Sequence, residues 1–565
     1  MSRKGGAQWE EEDYYDGYDD DYDEYYDDDY DDYDDHVSAK KKPAAASSQA
    51  PPKTKTKAAG GGTAKKHQQV TKVAKTKAAQ QQATVVKRKA GAPATQHGAA
   101  TSKPAAANDP RSDLSSILRD LEVEPQGKPS LLLVVLGHVD AGKSTLMGRL
   151  VAELGVVDSK EVRRRAHQAT QIGKGSFGWA WLMDERPEER ERGVTIDIAK
   201  RTFETEARQI TILDAPGHRD FVTNAISGIS QADAALLVVD GSSGGFESGF
   251  DVRGKISGQT REHAQLAKGI GIDQLAVVVT KLDKHAAGAE RLAEIRGKLD
   301  PFLKSCGFKD GRIRWLCASG TTGDNVVAKP PGGSALSWFE GPTVVEAIDA
   351  FEMVEHKRDA PLRVPVFSSA GAKQGGGAGQ VIVTGRLATG CVRVGSQVLV
   401  MPGSLDTTVK SISRNGHKDA GFALAGDAVE LTLGLDEEAS CVSVGSVVCG
   451  PSDGIRAVER IKAKIATLEL ETPFTLGQSL VVHIHAARAP AKVTKLLVLH
   501  DPKTGEDVKK RPRLLKSYQT ATVEITMSDK VCVEKYEDFA SLGRLVLRLG
   551  GRTVGVGKVV KVYHT

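Results

Sequence analysis

A run of apolar residues, Leu131-Leu132-Leu133-Val134-Val135-Leu136, ends abruptly in Gly137-His138-Val139-Asp140-Ala141-Gly142-Lys143-Ser144-Thr145. This junction constrains the 565-residue chain more than any other stretch. A short, continuous Leu- and Val-rich run reads as a strand buried on both faces, and the residues from Lys143 onward read as a helix. The loop between them fits G-x-x-x-x-G-K-[ST], in which backbone N–H groups and a helix N-terminus converge on phosphate oxygens. Gly137 and Gly142 let the loop curl, Lys143 brings a point charge to the β- and γ-phosphates, and the Ser144 hydroxyl suits Mg2+. Residues 137–145 are therefore expected to cradle a nucleotide on an α/β fold.

The α/β pattern continues downstream. ITILD (210–214), ALLVVD (235–240), LAVVVT (275–280) and IRWLC (313–317) are further apolar runs, most of them separated by helix-length segments. Such a series predicts a parallel sheet covered on both faces, over residues 128–357. From about Arg358 the chain changes character: RVPVF, GQVIVTGRL, GSQVLVMPG, AVELTLG and GSVVCG are closely spaced short strands with Gly turns. That patterning predicts an all-β barrel over 358–453, and a second series predicts another over 454–565. The expected architecture is an α/β P-loop domain followed by two all-β barrels, preceded by a disordered tail.

The strand ends carry the remaining chemistry. Asp214-Ala215-Pro216-Gly217-His218 follows ITIL; Asp214 is placed to reach Mg2+ through a water, and the Gly217 N–H to sense a γ-phosphate. Thr195, in Arg192-Gly193-Val194-Thr195, is placed to give Mg2+ a second hydroxyl. Thr280-Lys281-Leu282-Asp283 follows LAVVV. A carboxylate at Asp283 accepts from guanine N1–H and the exocyclic amine, whereas adenine would leave it unpaired. The Lys281 stem can pack along the base, and Ala318-Ser319-Gly320 can offer an N–H to the guanine O6. In this order the motifs select GTP and GDP. His218 is either an ordinary surface histidine or the group that orients the attacking water; its place directly after Gly217 favours the second. Val139 and Val194 flank the same space, as simple packing residues or as a gate shielding His218.

Charge is polarised before the first domain. Residues 10–35 hold 17 acidic groups and eight tyrosines, and residues 36–107 hold 15 Lys or Arg and no acid. Blocks of like charge and tracts such as QQQ and GGG bury too little apolar surface to offset ordering entropy, so residues 1–110 are expected to be disordered. The tail either solubilises the chain or offers Tyr contacts to a basic surface. Within 111–127, Leu114, Ile117, Leu118 and Leu121 fall on one face of a short docking helix. Six cysteines without CxxC spacing argue for a reduced compartment and against a zinc site. Without an apolar run of ~18 residues or a hydrophobic leader, a cytoplasmic protein with no membrane partner is expected.

At GHVDAGKST, RGVTID, DAPGH and SGQTREHAQLAKGIGI the chain resembles the translational GTPases of the elongation factor one-alpha, release-factor GTPase and Hbs group. GQVIVTGRLATGCVRVGSQVLVMPG, TGEDVKKRPRLL and LGRLVLRLGGRTVGVGKVV resemble that group's second and third barrels, so the likeness covers about 128–565. GKGSFGWAWLMDERPEERERGVTID and TGEDVKKRP look most like the Hbs-type ribosome-rescue GTPase. The resemblance implies GTP hydrolysis with Mg2+, a Pelota-like tRNA-shaped partner, stalled ribosomes and their RNA, and RNA-decay factors reached through the tail. It leaves open an aminoacyl-tRNA carrier and a GTP-locked scaffold. The group usually has Asn where Thr280 stands, which implies guanine selectivity with reduced nucleotide affinity. The Gly-rich stretch 368–380 is expected to form a mobile loop.

Overall fold

The computed structural model describes residue 117 and residues 128–171, 173, 178–183, 188–189, 195–251, 258–285, 287–371, 380–435 and 441–564. The tail, most of the 111–127 segment, Val194 and the Gly-rich residues 372–379 lie outside the described residues.

The first domain contains β1 (Ser130–Gly137), α1 (Lys143–Glu153), α2 (Ser159–Gln171), β2 (Ala199–Glu204) and β3 (Gln209–Asp214). It continues with α3 (Val222–Ile229), β4 (Ala234–Asp240), α4 (Gly245–Phe250), α5 (Gln259–Ile270), β5 (Leu275–Thr280), α6 (Gly288–Cys306), β6 (Ile313–Cys317) and α7 (Val344–Asp349). The strands form one sheet in the order β2-β3-β1-β4-β5-β6. Each of the five apolar runs named above is a strand, and their mutual pairings are parallel. β1 is apolar throughout because alternate residues serve opposite faces. Val134 and Leu136 pack in a cluster with Ile226, Leu237 and Leu266; Leu133 and Val135 pack with Leu146, Leu150 and Val278.

One expectation needs correction. The sheet is not wholly parallel: β2, which starts at Ala199, pairs antiparallel with β3. The cause is the tight turn in which the Thr205 N–H donates to Arg208 O at 2.9 Å, since so short a link admits only a hairpin. The C-terminal ends of β1, β3, β4, β5 and β6 share one edge, where open α/β sheets place their ligands.

The second domain runs β7 (Arg363–Gly371), β8 (Val381–Arg386), β9 (Cys391–Arg393), β10 (Gln397–Met401), β11 (Leu405–Arg414), β12 (Phe422–Leu424), β13 (Ala428–Leu433) and β14 (Val447–Cys449). Its closed barrel has the order β10-β11-β13-β8-β7-β14. The third runs β15 (Ala457–Thr467), β16 (Phe474–Thr475), β17 (Ser479–Ile484), β18 (Ala487–His500), β19 (Asp507–Lys510), β20 (Leu514–Leu515), β21 (Thr520–Cys532), β22 (Arg544–Leu549) and β23 (Arg552–Tyr563). Its main sheet closes through the β17–β18 pairing, with β19 at the edge. Ile117 is buried in a small cluster with Phe422 and Leu424, so the one described residue of the 111–127 segment sits against the second domain.

Buried ion pairs fix the domains together. Arg386 of β8 donates to both oxygens of Asp233 at 2.7 Å, and Asp233 Oδ2 also accepts the Leu132 N–H of β1. Burial alone would raise the Asp233 carboxyl, but Arg386 and His356 hold it below the ordinary carboxylate range. Its stabilisation is therefore present at neutral pH and lost as pH falls below that range. Arg363 of β7 similarly pairs with Glu534 of the third domain at 3.0 Å. Removing Arg386 strands a buried carboxylate. Arg386→Ala should cost ~3–5 kcal/mol in denaturant unfolding, whereas Arg386→Met with Asp233→Leu should cost far less. Equal losses in the two variants would show that the charge pair is not what holds this interface.

Candidate nucleotide-binding site

The loop after β1 has the curvature its glycines require. Gly137 has φ +146°, and a Cβ there would lie 2.2 Å from Val238 O, so no larger residue fits. Asp140 and Gly142 are also left-handed, and Gly142 caps α1. The Gly137 N–H is held by His263 Nδ1 of α5 at 3.1 Å. Lys143 is almost fully buried and donates to Gly137 O at 3.2 Å and His138 O at 2.9 Å. Burial pushes its pKa below the ordinary lysine value. The loop thus folds its own carbonyls around a buried cation.

Asp214, at the end of β3, is fully buried; among the described residues neither carboxylate oxygen finds a hydrogen bond of good geometry, although the Ser144 hydroxyl and Lys143 lie near enough to favour its charged form. Burial pushes its pKa up to about 6, against the pull of Lys143. Ser144 Oγ and Thr195 Oγ1 lie 3.1 Å apart. Two converging hydroxyls above an unsatisfied carboxylate are the donor set a hard divalent cation takes, so the residues present fit Mg2+. Gly217 passes so close that a Cβ would fall 2.3 Å from Lys143 Nζ. His218 caps the short turn 219–221: its Nδ1 accepts the Asp220 N–H at 3.3 Å, which leaves Nε2 for the cleft.

A cavity of about 290 Å³ joins these groups to the base side. Val139, Asp140, Gly142, Lys143, Ser144, Thr145, Thr195, Gly217, His218, Thr280, Lys281, Asp283, Ser319 and Gly320 all line it. Gly137, His138, Ala141 and Asp214 do not line it. Gly137 and Asp214 support the P-loop and the hydroxyl pair from within. Thr280 Oγ1 donates to Ala141 O at 2.7 Å, so the shorter side chain still ties β5 to the P-loop. Lys281 has φ +62°, and its Nζ reaches Asp140 O at 2.6 Å and Asp240 Oδ2 at 2.7 Å. The N–H groups of Ala318 and Ser319 are spent on Val279 O and Asp324 O, which leaves that of Gly320 for the cleft.

Four supporting residues were not anticipated as parts of the site. His263 holds Gly137. Glu189 Oε1 accepts the Ile196 and Asp197 N–H groups, and Asn224 donates to Ile196 O, so both steady the backbone after Thr195. Ala180 lines the cavity from the segment between α2 and β2. Of the two residues expected as packing or as a gate, Val139 lines the cavity, and Val194 is outside the described residues.

Comparison with known proteins agrees with this geometry. Residues 128–355 match the family described as the elongation factor Tu GTP binding domain, and residues 460–560 match the GTP-eEF1A C-terminal domain-like family. Elongation factor 1-alpha of Staphylothermus marinus is 40% identical over 439 residues, covering 77% of this chain and 97% of that protein. Protein HBS1 of Drosophila melanogaster is 40% identical over 436 residues, but the chain spans only 63% of its length. The GTPase-like domain of Ski7 from S. cerevisiae, bound to GTP, shares the fold: TM-score 0.64 at 18% identity, covering 80% of this chain and 100% of that domain.

The Asp214 shift has a readable sign. Below about pH 6 the carboxyl is protonated and no longer offers a cation its negative charge, so the Mg2+-dependent part of GTP affinity should fall ~tenfold per pH unit there. Between its ordinary value of 3.8 and about 6, the ligand-free fold binds a proton the unfolded chain does not, so its stability should decline as pH rises through that window. Asp214→Asn should flatten both dependences, as read by Mg2+ titration and thermal melts. A pH-independent Mg2+ affinity in the unaltered chain would contradict the assignment.

Proposed function

Because the chain belongs to the elongation factor one-alpha group of translational GTPases, we propose that it acts as an Hbs-type factor, binding a Pelota-like tRNA-shaped protein and carrying it to stalled ribosomes. The likeness to Protein HBS1 over 436 residues supports this reading, together with the 173–197 and 504–512 segments. In the cycle we infer, GTP enters the cleft and Lys143 turns from Gly137 O and His138 O to the phosphates. The N–H groups of the P-loop and Gly217 grip the triphosphate, and Asp283 with Gly320 reads the guanine edge. Ser144, Thr195 and Asp214 would hold Mg2+, which when bound would neutralise charge developing on the phosphates. His218 then presents Nε2 to a water that attacks the γ-phosphorus, and the bond to the bridging oxygen of GDP breaks. Loss of the γ-phosphate frees Thr195 and Gly217, and the domains loosen. Val139 and Val194 would keep His218 from the water until the ribosome acts, with contacts to ribosomal RNA mainly through phosphates. RNA-decay factors would join through residues 1–127.

The likeness to elongation factor 1-alpha over 97% of that protein favours a second reading, a carrier of aminoacyl-tRNA. The two separate cleanly. The rescue reading predicts that a Pelota-like protein is retained with a non-hydrolysable GTP analogue and not with GDP, and that aminoacyl-tRNA is left open to deacylation. Protection of aminoacyl-tRNA without retention of the Pelota-like protein would overturn it. His218→Ala should cut ribosome-stimulated turnover by ~10²-fold or more while leaving GTP binding within a few fold.

A further inference from the structure

Two residues of the third domain reach into the GTPase domain beside the nucleotide machinery. Both belong to the β22–β23 hairpin, whose tip is Gly550-Gly551. Arg548, itself buried, donates from Nη1 to Thr223 Oγ1 of α3 at 3.1 Å and from Nη2 to Gly551 O. Across the tip, Thr553 donates its N–H at 3.3 Å and its hydroxyl at 2.7 Å to Glu262 Oε1 of α5. The fit between α5 and the hairpin is close: a Cβ on Gly269 would stand 2.5 Å from Val556.

In each helix the next residue does something different. Asn224 follows Thr223 and donates to Ile196 O at 2.8 Å, one residue beyond Thr195. His263 follows Glu262 and holds the Gly137 N–H of the P-loop at 3.1 Å. Successive helical residues point about 100° apart, so one side chain can face the barrel while its neighbour faces the loops. A rotation or shift of either helix moves both contacts together.

We propose that the β22–β23 hairpin positions the nucleotide site by two separate routes: Thr553–Glu262–His263 sets the P-loop, and Arg548–Thr223–Asn224 sets the Thr195 segment. These are positioning residues, and the proposal rests on the nucleotide reading above. The routes carry different consequences. The P-loop grips phosphates common to GDP and GTP, so loosening α5 speeds release of both. The Thr195 segment is engaged only while the γ-phosphate is present, being freed with its loss in the cycle above, so loosening α3 speeds release of GTP alone.

Stopped-flow release of N-methylanthraniloyl-labelled GDP and of a labelled non-hydrolysable GTP analogue from the full chain tests this. Thr553→Val and Glu262→Ala should each raise both dissociation rates by ~tenfold, and their combination should add little more, because they break one contact. Arg548→Met should raise release of the GTP analogue by a similar factor with GDP release unchanged, and Arg548→Lys should recover part of it. Rates within twofold of the unaltered chain, alongside a lowered melting midpoint, would show that the hairpin only docks and would overturn the proposal. So would an equal effect of all variants on both nucleotides. Failure of the unaltered chain to bind either nucleotide would sink the nucleotide reading itself; normal release there with unmoved variants sinks only this inference.

Discussion

Lys143 and Asp214 have both been taken out of water beneath one glycine loop, and neither finds a full complement of partners within the protein. The lysine turns to two backbone carbonyls, and the aspartate finds no hydrogen bond of good geometry among the described residues. Burying charge in this way is costly unless opposite charge arrives. An anion for the lysine and a cation for the aspartate resolve both costs at once, and a metal-bound triphosphate brings the two together. The two hydroxyls of Ser144 and Thr195, 3.1 Å apart, stand where they would complete the cation's shell. The arrangement stores a bias toward the loaded state, and loss of the terminal phosphate removes part of what relieves it.

That bias matters because the site is wired outward. Asp233, at the start of β4, is clamped to the second domain by Arg386, while Glu262 and Thr223 are clamped to the third. Each contact is a short, buried or half-buried polar link with discrete made and broken states, and the links to the third domain stand beside apolar packing of Val546 and Val556 against the first domain's core. Such links suit a three-domain switch, in which small movements of α3 and α5 must become movements of whole barrels.

Much of this was readable beforehand, for local reasons. The five apolar runs are strands because a sheet covered on both faces leaves no position for polar residues. The P-loop, Asp214, Thr280 to Asp283 and Gly320 announce themselves because each sits at a strand end. What was hidden depends on partners far off in sequence. His263 lies 126 residues from Gly137, and no periodicity marks it as a P-loop support. Glu189 and Asn224 are ordinary polar residues until the fold brings them to Ile196. The antiparallel β2 was missed because apolar content does not encode strand direction; the four-residue turn at Thr205 does. Thr280 shows the reverse case: a departure from the expected Asn that looked like a loss keeps the tie to Ala141 O.

The central claim is that this pocket is shaped for a guanine nucleotide with its divalent cation. Titration calorimetry of the full chain with GTP, GDP and ATP, each with and without Mg2+, tests it most directly. The account predicts binding of both guanine nucleotides at least ~10³-fold tighter than ATP, with GTP affinity strongly dependent on Mg2+. Equal affinity for ATP, or GTP binding indifferent to Mg2+, would contradict it.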